Sequence, residues 1–216
     1  MAGTDPGREP SSVPQVRVAT TSEIPTLATI LARAFDRDPL VDWWARKDGR
    51  RGAVIEEMFA HALKRNVPLG SVYVTEDGTG VALWEAPNVP APGLRGMLDA
   101  WRLFARVAGW RHFPAVWRSL RMLDAHHPHT PHYYLLAIGV LPGQQGRGIG
   151  TALMRPVLER CNREGVPGYL VCTTSRNIPL YERNGFHVTE TLQMPKDGPL
   201  QWLMWRDPSA LDGVGC

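Results

Sequence analysis

The chain is poor in cysteine, never places a lysine directly after a glycine, and contains no apolar run of membrane-spanning length. Each absence closes a class of function. Cys161, Cys172 and Cys216 are the only cysteines. Three thiols leave one unpaired, cannot make a disulfide framework and show no zinc-ligand spacing, so a reduced, cytoplasmic setting is expected. Without a Gly-Lys pair there is no G-x-x-x-x-G-K-[ST] phosphate loop. No stretch approaches the roughly 20 apolar residues that cross a bilayer, and Met1 to Pro14 lacks the apolar core of a secretion signal. No membrane partner is expected. The formal net charge of +3 is small and its arginines and lysines are scattered along the sequence, which argues against nucleic acid and for a solvated surface. No internal repeat is visible.

What is present is enough apolar sequence for a proper core. The chain has 216 residues, of which 44% are hydrophobic and 21% charged. That predicts one domain over 15–208, a disordered segment rich in Gly, Pro and Ser over 1–14, and a flexible tail over 209–216. The pattern between them is mixed α/β. Val16 to Ala19 reads as a strand. Thr20 with Glu23 forms a capping box for a helix carrying Ile24, Leu27, Ile30, Leu31 and Ala34. Arg50 to Lys64 reads as a second helix, and 71–76 with 80–84 as a hairpin around Asp77-Gly78. Residues 93–121 read as mostly helical, interrupted at Gly109 and Pro114. A strand over 133–140, a helix over 148–164, a strand over 168–172, a short helix near 177–183 and strands near 186–190 and 200–206 complete the order.

The densest signal is the junction of the strand 133–140 with the helix after it. Gly146, Gly148 and Gly150 stand at alternate positions, and Ile149, Leu153, Val157 and Leu158 then repeat at helical spacing. Glycine lets backbone approach a phosphate and adopt positive φ. A glycine loop opening a helix aims N–H groups and the helix dipole outward, and Arg147 adds a charge. A dinucleotide fold of the Rossmann type requires G-x-G-x-x-G and an acid at the end of the next strand. Here the order is G-x-G-x-G, and Tyr169-Leu170-Val171-Cys172 runs into Thr173-Thr174. Gln145, Gly148 and Gly150 instead fit a Q/R-x-x-G-x-G/A loop.

On that loop and on Arg176-Asn177-x-Pro179-x-Tyr181-Glu182-Arg183-x-Gly185-Phe186, the chain resembles the GNAT superfamily of N-acetyltransferases, most of all its puromycin N-acetyltransferase-like branch. The resemblance runs from about Val16 to Arg206. It implies a mixed sheet of six or seven strands, splayed between the fourth and fifth, with helices on both faces. A bulge is implied in the fourth strand, with Gly139 as its expected site. The resemblance further implies acetyl-CoA as cosubstrate and direct attack by a primary amine in a ternary complex. Ile138, Gly139, Val140, Gln145, Gly146, Arg147, Gly148, Ile149, Gly150, Thr151, Asn177 and Tyr181 are then the cofactor-binding positions. The main chain around Val140 would polarise the carbonyl, Asn177 would bond the pantetheine arm or cap the short helix it begins, and Tyr181 would be the general acid.

The base is open. Glu85 and Glu76 end strands, and a water chain serves equally. On the acceptor side, Asp38 and Asp42 could draw a cationic amine and Trp43 could stack on it, or these could be surface acids beside buried aromatics. Trp43, Trp44, Trp101, Trp110 and Trp117 read mostly as packing. His126, His127, His129 and His132 lie in a loop that Pro128 and Pro131 hold extended, at spacings that fit no standard metal site, so no metal is expected. His129 or His132 could instead face the acceptor. The expected partner is a small-molecule amine, an aminonucleoside or other aminated metabolite, handled by a monomer or homodimer. The alternatives are acetylation of a protein N-terminus or lysine, and a non-catalytic acyl-CoA sensor.

Overall fold

The structure, a computed structural model, describes residues 14–87, 89 and 93–209. The segments expected to be disordered therefore lie almost wholly outside the described residues. Seven strands form one sheet in the order β1-β2-β3-β4-β5-β7-β6. They are β1 Val16–Val18, β2 Val72–Thr75, β3 Gly80–Glu85, β4 Tyr133–Val140, β5 Gly168–Cys172, β6 His187–Gln193 and β7 Leu200–Arg206. The helices are α1 Ile24–Phe35, α2 Pro39–Trp44, α3 Arg51–Asn66, α4 Leu94–Ala108, α5 Phe113–Ala125, α6 Ile149–Glu164 and α7 Ile178–Glu182. All neighbouring strands run antiparallel except β4 and β5, which are parallel.

Local chemistry sets the element ends. The Glu23 carboxylate accepts the Thr20 N–H at 2.8 Å and the Thr20 hydroxyl at 2.7 Å, closing the first turn ahead of α1. In the β2–β3 turn, Gly78 takes φ +66° while Thr75 Oγ1 accepts the N–H groups of Thr79 and Gly80, each at 3.0 Å. α6 opens on Gly148 (φ +77°) and stops at Gly165 (φ +66°), and Pro156 inside it does not end it.

Two layers cover the sheet. On one face α1 and α3 bury Leu27, Leu31, Ile55, Phe59 and Leu63 against Val74, Val81 and Leu83. On the other, α6 buries Leu153, Met154, Val157 and Cys161 with Ala82, Trp84, Leu135 and Leu170. A smaller cluster of Leu40, Tyr169, Leu192, Met194 and Leu203 sits beside α2.

The sheet opens between β4 and β5. Their ladder holds only Tyr133↔Gly168, Tyr134↔Tyr169 and Leu135↔Leu170, although β4 continues to Val140. The separation starts at a bulge. Leu83 pairs with Ala137 and Trp84 with Leu135, which leaves Leu136 as the extra residue on β4. The bulge is thus at Leu136 and not at Gly139, which pairs in register with Val81. Gly139 serves packing. A Cβ there would stand 2.8 Å from Ala34 Cβ and 3.1 Å from Leu31 Cδ2, so its absence sets how closely α1 lies on β4.

Two further expectations change. The 93–121 segment is two helices broken at Gly109 (φ +69°), and Pro114 sits in the first turn of α5, where its missing N–H costs nothing. Trp101, Trp110 and Trp117 are 47%, 80% and 38% exposed and lie outside the core, while Trp101 and Trp117 pack on Phe113 as expected.

Candidate active site

The opened sheet makes a cleft of about 1350 Å³. Its walls are β4 from Leu135 to Val140 on one side and Leu170, Val171, Thr173 and Thr174 on the other. The end of α1, the loop into α2, the glycine loop and α7 close it off. Beyond Leu135, the β4 groups that face β5 have no ladder partner, which leaves main-chain donors and acceptors aimed into the gap. Gln145 Nε2 donates to Val140 O at 3.3 Å and ties the glycine loop to the end of β4.

Most of the cofactor positions expected from sequence meet here. Ile138, Gly139, Val140, Gln145, Gly146, Gly148, Ile149, Gly150, Thr151, Asn177 and Tyr181 all line the cleft. Gly146 and Gly148 adopt φ +79° and +77°, so the loop turns its amides around the N-terminus of α6, a 16-residue helix. A Cβ on Gly150 would stand 3.2 Å from Leu180 Cδ2, so that glycine lets α7 approach α6. The Asn177 side chain makes no capping bond to α7. Arg147 is exposed and lies outside the lining.

Tyr181 is 6% exposed at the inner end of α7, in the apolar cluster with Cys172 and Leu170. Burial raises its phenol pKa, and the nearby Cys172 and Asp38 raise it further. The hydroxyl therefore stays protonated at any ordinary pH.

Asp38 sits in the loop before α2. Its Oδ1 accepts the N–H groups of Leu40 and Val41 at 3.0 Å each, capping α2, and its Oδ2 accepts the Thr173 hydroxyl. Burial pushes its carboxyl up from the usual Asp value, while the bonds from Thr173, Val41 and Leu40 pull it back. Asp38 and Tyr181 thus share the cleft, one from the loop before α2 and one from α7.

The other expected acceptor residues lie outside the cleft lining. Asp42 is a surface charge paired with Lys47 at 2.6 Å and Arg51 at 3.2 Å. Trp43 packs edge-on to His112, with ring centroids 4.8 Å apart, and against Gly198. His132 is buried at the opposite end of β4 from the glycine loop. Its Nδ1 meets Thr130 O at 2.7 Å and its Nε2 meets His127 Nε2 at 3.1 Å. Glu85 pairs across from Tyr134 near the closed end of the ladder, and Glu76 bonds Arg17 at 3.4 Å. No residue of α4 or α5 lines the cleft, so this helical pair does not wall it off. Among the described residues no group of three His, Cys, Asp or Glu side chains is placed to hold a metal.

Sequence reasoning missed the rest of the rim. Exposed Arg33, Arg37, Arg176 and Arg183 border the cleft. Arg33 and Arg37 stand four residues apart at the end of α1, a signal available only once α1 is known to abut the glycine loop's cleft. Thr173, read in sequence only as the lack of an acid, holds Asp38.

Residues 94–186 match the model of the Acetyltransferase (GNAT) family. A curated relative, an uncharacterised N-acetyltransferase of Schizosaccharomyces pombe, is 26% identical over 196 residues, covering 84% of this chain and 78% of that protein. A crystal structure of a histone acetyltransferase HPA2 and related acetyltransferase from Corynebacterium glutamicum superposes with a TM-score of 0.70 at 24% identity, covering 94% of this chain and 100% of the other. The Drosophila melanogaster polyamine N-acetyltransferase superposes with a TM-score of 0.61 at 19% identity, covering 89% and 99%. At these identities the two structures speak for the fold. The family match over the segment that holds β4, the glycine loop and α7, together with the sheet splayed at Leu135, identifies the chain as an acetyl-CoA-dependent acetyltransferase of the GNAT fold.

Proposed function

We propose that the cleft acetylates the primary amine of a small cationic molecule. The observation that carries this reading is the placement of a half-buried carboxylate, Asp38, and a buried phenol, Tyr181, in one opening of the sheet. One can take a proton and the other can give one.

Acetyl-CoA, when bound, supplies an acetyl thioester, whose phosphates suit the glycine-loop amides and the rim arginines. The unpartnered amides of β4 past Leu136 offer hydrogen bonds to a carbonyl oxygen, strongest as negative charge develops there. Asp38 attracts an ammonium group and takes its proton, which frees the nitrogen lone pair to attack the carbonyl carbon. As the carbon–sulfur bond breaks, Tyr181 gives its hydroxyl proton to the departing sulfur, and the proton left on the new amide nitrogen passes through solvent to the phenolate, which restores the acid. Asn177 and the Gln145–Gly150 loop hold the donor in line. The polyamine N-acetyltransferase, described as forming N-acetylagmatine, and the arylalkylamine N-acetyltransferase of Aedes aegypti share this fold. Both act on small amines, which supports that acceptor class. An aminonucleoside acceptor, as in the puromycin-like branch, is a narrower version of the same reading.

Thiol release from acetyl-CoA over a panel of diamines, arylalkylamines and puromycin tests it, with wild type and Tyr181→Phe compared. Turnover on one amine that Tyr181→Phe loses while still binding acetyl-CoA supports the reading. Tight acetyl-CoA binding with no turnover on any amine overturns it in favour of a sensor or a protein substrate.

A further inference from the structure

The helical pair α4–α5 is built for a surface and not for the cleft. Along α4, Leu94, Met97, Leu98 and Trp101 recur at i, i+3, i+4 and i+7 and are 46–75% exposed. The opposite side of the helix buries Leu103 and Val107. The stripe does not end with α4. Trp101 meets Phe113 edge-on at 5.3 Å, and Phe113 lies 6.0 Å from Trp117, so the apolar surface crosses to α5. At the turn between the helices, Trp110 is 80% exposed and carries the Arg111 guanidinium 5.2 Å above its ring.

Charge around this patch is mainly positive. Residues 94–125 contain six arginines and two aspartates, with no lysine or glutamate. Arg102 pairs with Asp99 and Arg106 with Glu57. Arg95, Arg111, Arg118 and Arg121 are exposed and take part in no ion pair among the described residues. A helix with leucine, methionine and tryptophan on one face, bordered by arginine, is the pattern of segments that lie in the headgroup region of a bilayer. Tryptophan suits that zone because its ring is apolar and its N–H polar. A solvated, purely structural helix has no use for four large apolar side chains facing water.

We propose, against the expectation from sequence, that α4 and α5 dock the enzyme on anionic membrane surfaces. The apolar stripe enters the headgroup zone while the four unpaired arginines meet lipid phosphate and carboxylate. Neither helix lines the cleft, so no residue of the docking surface belongs to the acetyl-transfer site. This inference does not depend on which amine the enzyme acetylates.

Co-sedimentation of the full chain with vesicles tests it. One set is phosphatidylcholine alone and the other is phosphatidylcholine mixed with phosphatidylserine. The protein should pellet with the mixed vesicles and be released by high salt. Arg118→Gln and Arg121→Gln should each weaken binding roughly fivefold. Trp110→Ala and Trp101→Ala should weaken it further while leaving the circular dichroism and acetyl-CoA binding unchanged. Failure to pellet, or equal pelleting with phosphatidylcholine alone, overturns the proposal. So does a wild-type dimer in sedimentation equilibrium that Trp101→Ala dissociates, with no vesicle binding, because the patch would then be a contact between two copies of the chain.

Discussion

Thr173, one residue past the end of β5, donates its hydroxyl to Asp38 in the loop before α2. The bond joins the two sides of the cleft and orients a carboxylate that already caps a helix. Asparagine caps a helix as well as aspartate does. Asp38→Asn should therefore fold normally, bind acetyl-CoA and lose about 10²-fold or more in kcat/KM, a typical loss for a general base. A variant that keeps wild-type turnover would remove Asp38 from the chemistry.

Removing the Thr173 hydroxyl should have a different effect from removing the carboxylate. The Thr173 bond lowers the Asp38 pKa against the upward push of burial. In Thr173→Val that restraint is gone, so the carboxyl should titrate at higher pH. The base acts when ionised, and the acidic limb of the kcat/KM profile should move upward in pH with the plateau largely kept. An unchanged limb would separate Thr173 from the proton transfer.

Tyr181 makes a prediction about the alkaline side. Its pKa is raised, first by burial. The acid form therefore persists, and no loss of kcat attributable to Tyr181 should appear up to about pH 10, the ordinary phenol value. An alkaline limb near neutrality that vanishes in Tyr181→Phe would contradict the assignment.

The α1–β4 contact is testable by volume. Gly139→Ala would place a methyl 2.8 Å from Ala34 Cβ. Overpacking of this kind costs about 1–3 kcal/mol, read as a lower urea midpoint. Adding Ala34→Gly removes the opposing methyl and should recover part of that loss, the helix glycine itself costing about 1 kcal/mol. No recovery would mean that Leu31, at 3.1 Å, is the harder neighbour.

Glu23 carries a pH-dependent share of stability. Its carboxyl is held at about 2, down from 4.5, first by Arg17 and then by Thr20. The folded value is the lower one, so the stabilisation is present above pH 4.5 and is lost as pH falls toward 2. Its partner Arg17 is solvated, so the effect is a fraction of the nominal shift. Glu23→Gln should lower the Tm at neutral pH and flatten its decline across that acid window. Parallel curves for the two proteins would show that the pair contributes nothing.

How much of this was legible in sequence depends on how local the cause is. β4, β5 and the glycine loop were readable because β-branched runs, a Pro-Gly turn and alternate glycines are contiguous signals. The splay between β4 and β5 followed from family resemblance. The Leu136 bulge was not readable, because a bulge is a relation to the partner strand and Leu136 looks like any strand leucine. α2 was not visible, its six residues being too few to show a period. His132, after Pro131 and just ahead of β4, looked placed for substrate, yet its ring packs edge-on to Tyr169 and tilted against Trp205 and bonds His127. Asp38 and Asp42 share a motif, but one faces inward and the other pairs with Lys47 and Arg51. No spacing rule separates them.

The ladder between β4 and β5 holds three residue pairs. Mechanically that ladder is a short seam: β1 to β4 lie on one side of it and β5 to β7 on the other, and a ligand in the gap bridges both. The free energy that seats the acetyl donor is then also spent on joining the two sides. Saturating the cleft should slow amide exchange in strands well away from it, and the enzyme at rest should be softest along the seam where it reacts.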